Sequence, residues 1–102
     1  MIEVWKPWRV RTFNIMMRYG KNPFTPEECI EIADDRYHYR NAGNKFAVEL
    51  YRAAGLGVYT IYQRLIDTTP SPETRYSVAP MSLETVRRYC EEFDVYLHER
   101  LN

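Results

Sequence analysis

Between Glu49 and Leu65 the chain reads ELYRAAGLGVYTIYQRL, and Gly55 in its middle restricts the fold more than any other residue. Leu50, Tyr51 and Ala54 fall on one face of a helix running into it, and glycine there permits the positive φ that ends a helix. Beyond it Val58, Ile61, Tyr62, Leu65 and Ile66 recur at the i, i+3, i+4, i+7, i+8 spacing of a second amphipathic helix. Two helices joined by so short a turn must cross steeply, so the sequence predicts a helix-turn-helix-like pair in place of one long rod.

The flanking segments also read as helices. Thr25-Pro26-Glu27-Glu28 is a helix start, with a threonine N-cap, proline at the first helical position and a glutamate that completes a capping box. That helix is expected to run to Tyr37 or His38, burying Cys29, Ile30, Ile32, Ala33 and Tyr37. Its other side is acidic through Glu27, Glu28, Glu31, Asp34 and Asp35. Arg40 to Asn44 reads as a turn, with Asn44 capping a helix from Lys45 to Ala54 whose inward residues are Phe46, Ala47, Leu50, Tyr51 and Ala54. From Ser82, a second cap, Leu83, Val86, Cys90, Phe93, Leu97 and Leu101 form the most regular apolar seam in the chain. It either closes the monomer's core or pairs with its copy in a homodimer through residues 82–101.

The ends and the longest loop are less regular. Residues 1–21 carry Lys6, Arg9, Arg11, Arg18 and Lys21 against one acid, Glu3, interleaved with Trp5, Trp8, Phe13 and Tyr19. Pro7 and Gly20 bracket a helix from Trp8 to Tyr19, whereas the alternation of Trp8, Val10 and Thr12 with Arg9 and Arg11 would suit a strand. The helix is preferred, with Trp8, Phe13, Ile15, Met16 and Tyr19 as its core side. Asp67 to Pro80 holds three prolines and breaks the helical pattern; Arg75 to Val78 suits one arm of a small hairpin, a wing, or a plain loop. The expected fold is therefore one mostly α domain over residues 1–102. It is a bundle of four to five helices: the basic aromatic segment 1–21, a core over 25–66, a loop or wing over 67–80 and an amphipathic helix over 82–101.

One stretch resembles a known family. Ala54-Gly55-Leu56-Gly57, Thr60-Ile61-Tyr62 and Leu65 are similar to the Ala-Gly-Val-Ser-x-x-Thr-(Leu/Ile/Val)-Tyr-x-x-(Phe/Leu) run of tetracycline-repressor-type DNA-binding proteins, over residues 50–65. Tyr51 stands where that family carries alanine, and its bulk works against close packing of the two helices; Gly57 stands where the family carries serine or threonine. The resemblance implies that the Gly57 to Ile66 helix lies in the major groove, with Tyr59 and Thr60 on the backbone, Gln63 addressing adenine, and Arg64 guanine or phosphate. Arg9, Arg11 and Arg18 would add phosphate contacts. A helical hairpin with no role at DNA produces the same apolar spacing.

Charge pulls the other way. Lys plus Arg equals Asp plus Glu at 14 each, so no global positive field draws the chain to nucleic acid or to an anionic membrane. Nine tyrosines in 102 residues suit a recognition surface for a partner protein. Such short, charge-balanced, aromatic-rich chains occur among phage and mobile-element accessory proteins, including inhibitors of host systems. The expected function is a small non-enzymatic regulator of phage or mobile-element type that binds DNA, placed ahead of a protein-sequestering module. The electrostatic surround of Tyr59, Gln63 and Arg64 discriminates between the two: a positive strip joining them to Arg9 and Arg11 favours DNA, and an acidic surround favours a protein partner. No glycine-rich phosphate loop or nucleophile-histidine pattern argues for an enzyme, and no cofactor is expected. Asp34, Asp35 and His38, and Asp94 with His98, have helical spacing for metal but read as surface charges. Cys29 and Cys90 read as buried reduced thiols, and the absence of a secretion signal or apolar span points to a cytoplasmic protein.

Overall fold

The computed structural model describes residues 8–69 and 81–101, and with them five helices and no strand. In chain order these are α1 (Val10–Arg18), α2 (Pro26–Asp34), α3 (Asn44–Ala53), α4 (Val58–Asp67) and α5 (Leu83–Leu101), with a 3-10 turn at Arg36–His38 between α2 and α3. The expected wing, at Arg75 to Val78, lies outside the described residues.

Local chemistry sets the breaks. At the start of α2 the Thr25 hydroxyl accepts from the Glu28 amide at 3.1 Å. The Glu28 carboxylate reaches back to the Phe24 amide at 3.0 Å, one residue before the cap position. At the end of α3, Gly55 adopts φ +94°. The Gly55 amide then donates to the Arg52 carbonyl at 2.9 Å and the Leu56 amide to the Tyr51 carbonyl at 3.1 Å, the paired bonds of a Schellman stop. Gly20 closes α1 in the same way, at φ +67° with the Lys21 amide on the Met16 carbonyl at 2.8 Å. Ser82 caps α5 by accepting from the Thr85 amide at 3.2 Å.

Helix α3 is the centre of the bundle. Phe46, Ala47, Val48, Glu49, Leu50 and Tyr51 are all buried, because α2, α4 and α5 each pack against it. Cys29, Ile32 and Ala33 face it from α2, Ile61 and Leu65 from α4, and Val86, Cys90 and Phe93 line the inner side of α5. The middle of the α5 seam, Val86, Cys90 and Phe93, thus closes the core of the chain. Neither cysteine forms a disulfide, and burial pushes the Cys90 thiol up from its ordinary value.

Three details depart from the sequence reading. Helix α1 starts at Val10, and its inward residues are Thr12, Ile15 and Met16, whereas Phe13 is 48% exposed and Tyr19 lies at the surface. The swap has a polar cause: the Thr12 hydroxyl donates to the buried Glu49 carboxylate at 2.6 Å, and that bond turns the helix. Asn44 does not cap α3, since its side-chain oxygen accepts from Arg36 at 3.3 Å and Gly43 takes the cap position. Helix α2 stops at Asp34 because the next turn winds into the 3-10 segment that carries Arg36 inward. Tyr51, by contrast, is fully buried in the bundle, as its place on the inward face of α3 implies.

Candidate functional site

Asp34, at the last turn of α2, ties three helices together. The Tyr51 hydroxyl on α3 donates to its Oδ1 at 2.5 Å. Arg64 on α4 grips both oxygens, Nε to Oδ1 at 2.9 Å and a terminal nitrogen to Oδ2 at 2.6 Å. Burial opposes the charged form of Asp34, but the bonds from Arg64 and Tyr51 and the charges of Arg64 and Arg36 outweigh it, so the carboxyl lies below its usual range. The same bond has the reverse effect on its donors. Burial first, and then Asp34, push the Tyr51 phenol up to about 12, and Asp34 raises the affinity of Arg64 for its proton.

Arg36 sits beneath this junction, with no exposed surface. Its guanidinium donates to the Ala33 carbonyl at 3.1 Å, Thr68 Oγ1 at 2.7 Å, the Tyr37 hydroxyl at 3.1 Å, the Leu65 carbonyl at 3.4 Å and Asn44 Oδ1 at 3.3 Å. Ala33 and Leu65 stand in the last turns of α2 and α4, where carbonyls lack helical donors and the helix dipole is negative. One buried cation therefore closes two helix ends.

The predicted DNA-reading side chains do share a face. Tyr59 is 66% exposed, and Thr60, Gln63 and Arg64 are exposed beside it. Their hydrogen-bonding capacity, however, is largely spent within the protein. Gln63 donates to Asp67 at 3.0 Å, Tyr59 takes a bond from Arg87 at 3.3 Å, and Arg64 is held by Asp34. On its α2 side Arg64 shares a surface groove with Glu27, Glu31, Asp34 and Asp35, so that side of the face is acidic.

Arg9 and Arg11 lie elsewhere. They line a groove of about 510 Å³ between α1 and the starts of α3 and α5, with Thr12, Ile15, Lys45, Phe46, Glu49 and Tyr89, and no α4 residue borders it. Arg9 approaches Glu49 at 3.7 Å. Burial pushes the Glu49 carboxyl above its ordinary value, against the Thr12 bond and the charges of Arg9 and Lys45. Arg11 and Arg18 project to solvent from α1. The seven candidate residues thus divide between two surfaces, and no groove among the described residues is lined by members of both sets.

Sequence reasoning missed two features. One is Arg36, whose burial requires two helix ends that meet only in the fold. The other is the outer face of α1, where Val10, Phe13 and Met17 are 72%, 48% and 57% exposed; their i, i+3, i+7 spacing was a signal in the sequence, hidden by assigning Phe13 to the core. Elsewhere Arg52 holds Asp94 through both oxygens at 2.9 and 2.7 Å, which occupies the carboxylate of one metal pair as Arg64 occupies Asp34 in the other. No described cluster of three or more His, Cys, Asp or Glu residues is placed to hold a metal ion, and no helix among the described residues is long and apolar enough to cross a membrane. The chain matches no protein-family model, no curated protein and no solved structure.

Proposed function

We propose that this chain is a non-enzymatic protein-binding module that acts by occupying a partner protein. The observation that carries this reading is the bidentate Asp34–Arg64 pair within the acidic groove of Glu27, Glu31 and Asp35. A DNA reader needs unpaired cations toward phosphates, since each neutralised phosphate supplies the counterion release that drives binding. Here the one arginine of the reading helix is compensated by Asp34, its α2 side is acidic, and a further cation at this face, Arg87, is engaged with Tyr59.

The second reading, a small DNA-binding regulator using α4, is favoured by the shared exposure of Tyr59, Thr60, Gln63 and Arg64 on one face. One titration separates the two. The full chain is mixed with labelled random duplex DNA at low and at moderate salt. Silence at low salt is the expected result, and a complex that weakens steeply as salt rises would reverse the assignment. In parallel, immobilised full-length protein is expected to retain a stoichiometric partner from lysate after nuclease treatment.

A further inference from the structure

The largest exposed apolar side chains of α1 form a row on the side facing away from the bundle. Val10, Phe13 and Met17 occupy i, i+3 and i+7, and span about 10 Å at 1.5 Å per residue. At 100° per residue, Asn14, Arg18 and Arg11 follow on one flank, before the buried face of Ile15, Thr12 and Met16. The helix VRTFNIMMR contains no acid. Arg11 and Arg18 have no ion-pair partner among the described residues, unlike Arg9, Arg52 and Arg64. An apolar row bordered by two solvated cations one i, i+7 step apart is a template for its complement.

We infer that this face docks an amphipathic helix of a partner protein, whose apolar row covers Val10, Phe13 and Met17 and whose neighbouring row places carboxylates on Arg11 and Arg18. This rests on the protein-binding reading and adds to it the surface and the chemistry of the partner. A helix is the fitting element because α1 offers a side-chain ridge and no strand edge for extended pairing. Two other occupants fit less well. A second copy of the chain, paired through α1 about a two-fold axis, would bring Arg11 and Arg18 close to their own copies. An anionic bilayer would approach the C-terminal end of α1, where Gly20 and Lys21 share a groove with Glu28, Glu31 and Asp35. Three side chains cover far less than the roughly 800 Å² per partner of a standard interface, so the complex is reversible.

The test uses the full chain and fluorescence anisotropy with three labelled peptides: an amphipathic helix with Leu and Phe on one face and Glu on the flank, the same peptide with Lys for Glu, and a scrambled control. The Glu peptide should bind saturably and at least about tenfold more tightly than the Lys peptide, equivalent to about 1.4 kcal/mol. Phe13→Asp and Met17→Asp, at exposed positions, should each weaken it by a similar factor while the thermal melt is unchanged. Phe13→Leu should retain it, and the Arg11→Glu/Arg18→Glu variant should reverse the preference toward Lys. Absence of binding by the Glu peptide, equal binding of the Glu and Lys peptides, or binding indifferent to Phe13→Asp overturns the proposal. Sedimentation with phosphatidylserine vesicles, or a dimer in the ultracentrifuge, that Phe13→Asp abolishes would assign the face to a membrane or a second copy and overturn it too. A lysate partner that survives nuclease and is still retained by the Phe13→Asp/Met17→Asp protein overturns this docking site alone, and leaves the protein-binding reading standing.

Discussion

Arg36→Met removes a buried guanidinium and keeps most of the apolar stem. Of the five acceptors, three retain an alternative. Leu65 O keeps the Thr69 hydroxyl at 2.5 Å, the Thr68 hydroxyl still donates to the Arg64 carbonyl at 2.7 Å, and Tyr37 is half-buried and within reach of water. The Ala33 carbonyl, left with only the Asp35 cap amide, and Asn44 Oδ1 both lose the Arg36 donor, at about 1–3 kcal/mol each. Loss of a cation at two helix C-termini adds about 0.3–1 kcal/mol per end. Relief of the cation's desolvation offsets part of this. The balance is a loss of about 3 kcal/mol, a large share of the 5–15 kcal/mol that holds an ordinary domain together. Urea unfolding followed by circular dichroism should show the midpoint falling with the slope unchanged, and the melting temperature should drop by about 12–24 °C. Arg36→Lys, which keeps the charge but not the planar fork, should lie between. Arg64→Met, at a solvent-facing pair, should cost no more than about 1 kcal/mol. If Arg36→Met loses under about 1 kcal/mol at constant slope, Arg36 does not close the two helix ends as argued.

Three further outcomes follow from the same structure. Gly55→Ala meets no atom within 4 Å of the added carbon, so only the φ of +94° resists it; denaturant unfolding should register about 1–2 kcal/mol of strain. Glu49 has a raised folded pKa, so its contribution to stability is fully present below the unfolded value of 4.5 and lost as pH rises through the folded one. Glu49→Gln should therefore gain on the parent protein between pH 4 and neutrality, and parallel stability curves for the two would sink this account. Asp34 is the reverse case, with a lowered folded pKa, so its contribution is present above 3.8 and lost as pH falls through the folded value. Asp34→Asn should be less stable than the parent at neutral pH, and the gap should close as the solution is acidified.

What was legible in the sequence was carried over short distances. The capping of α2 by Thr25 and Glu28 involves residues three apart, and Gly55 ends α3 through its own φ. The α5 seam reads correctly because Val86, Cys90 and Phe93 keep one helical period. Two of the failures involve partners far apart along the chain. Thr12 turns inward toward Glu49, 37 residues away. Arg64 is neutralised by Asp34 across 30 residues, so its availability to a ligand could not be read from α4 alone. The face of α4 was found from its own periodicity, whereas its charge balance is set by α2.

The position of Arg36 also bears on how the molecule opens. Since one guanidinium seals the carbonyl ends of both α2 and α4, neither terminus can fray without withdrawing that donor from the other. Their closing turns should therefore exchange amide hydrogens as a single cooperative unit, though some thirty residues of chain lie between them.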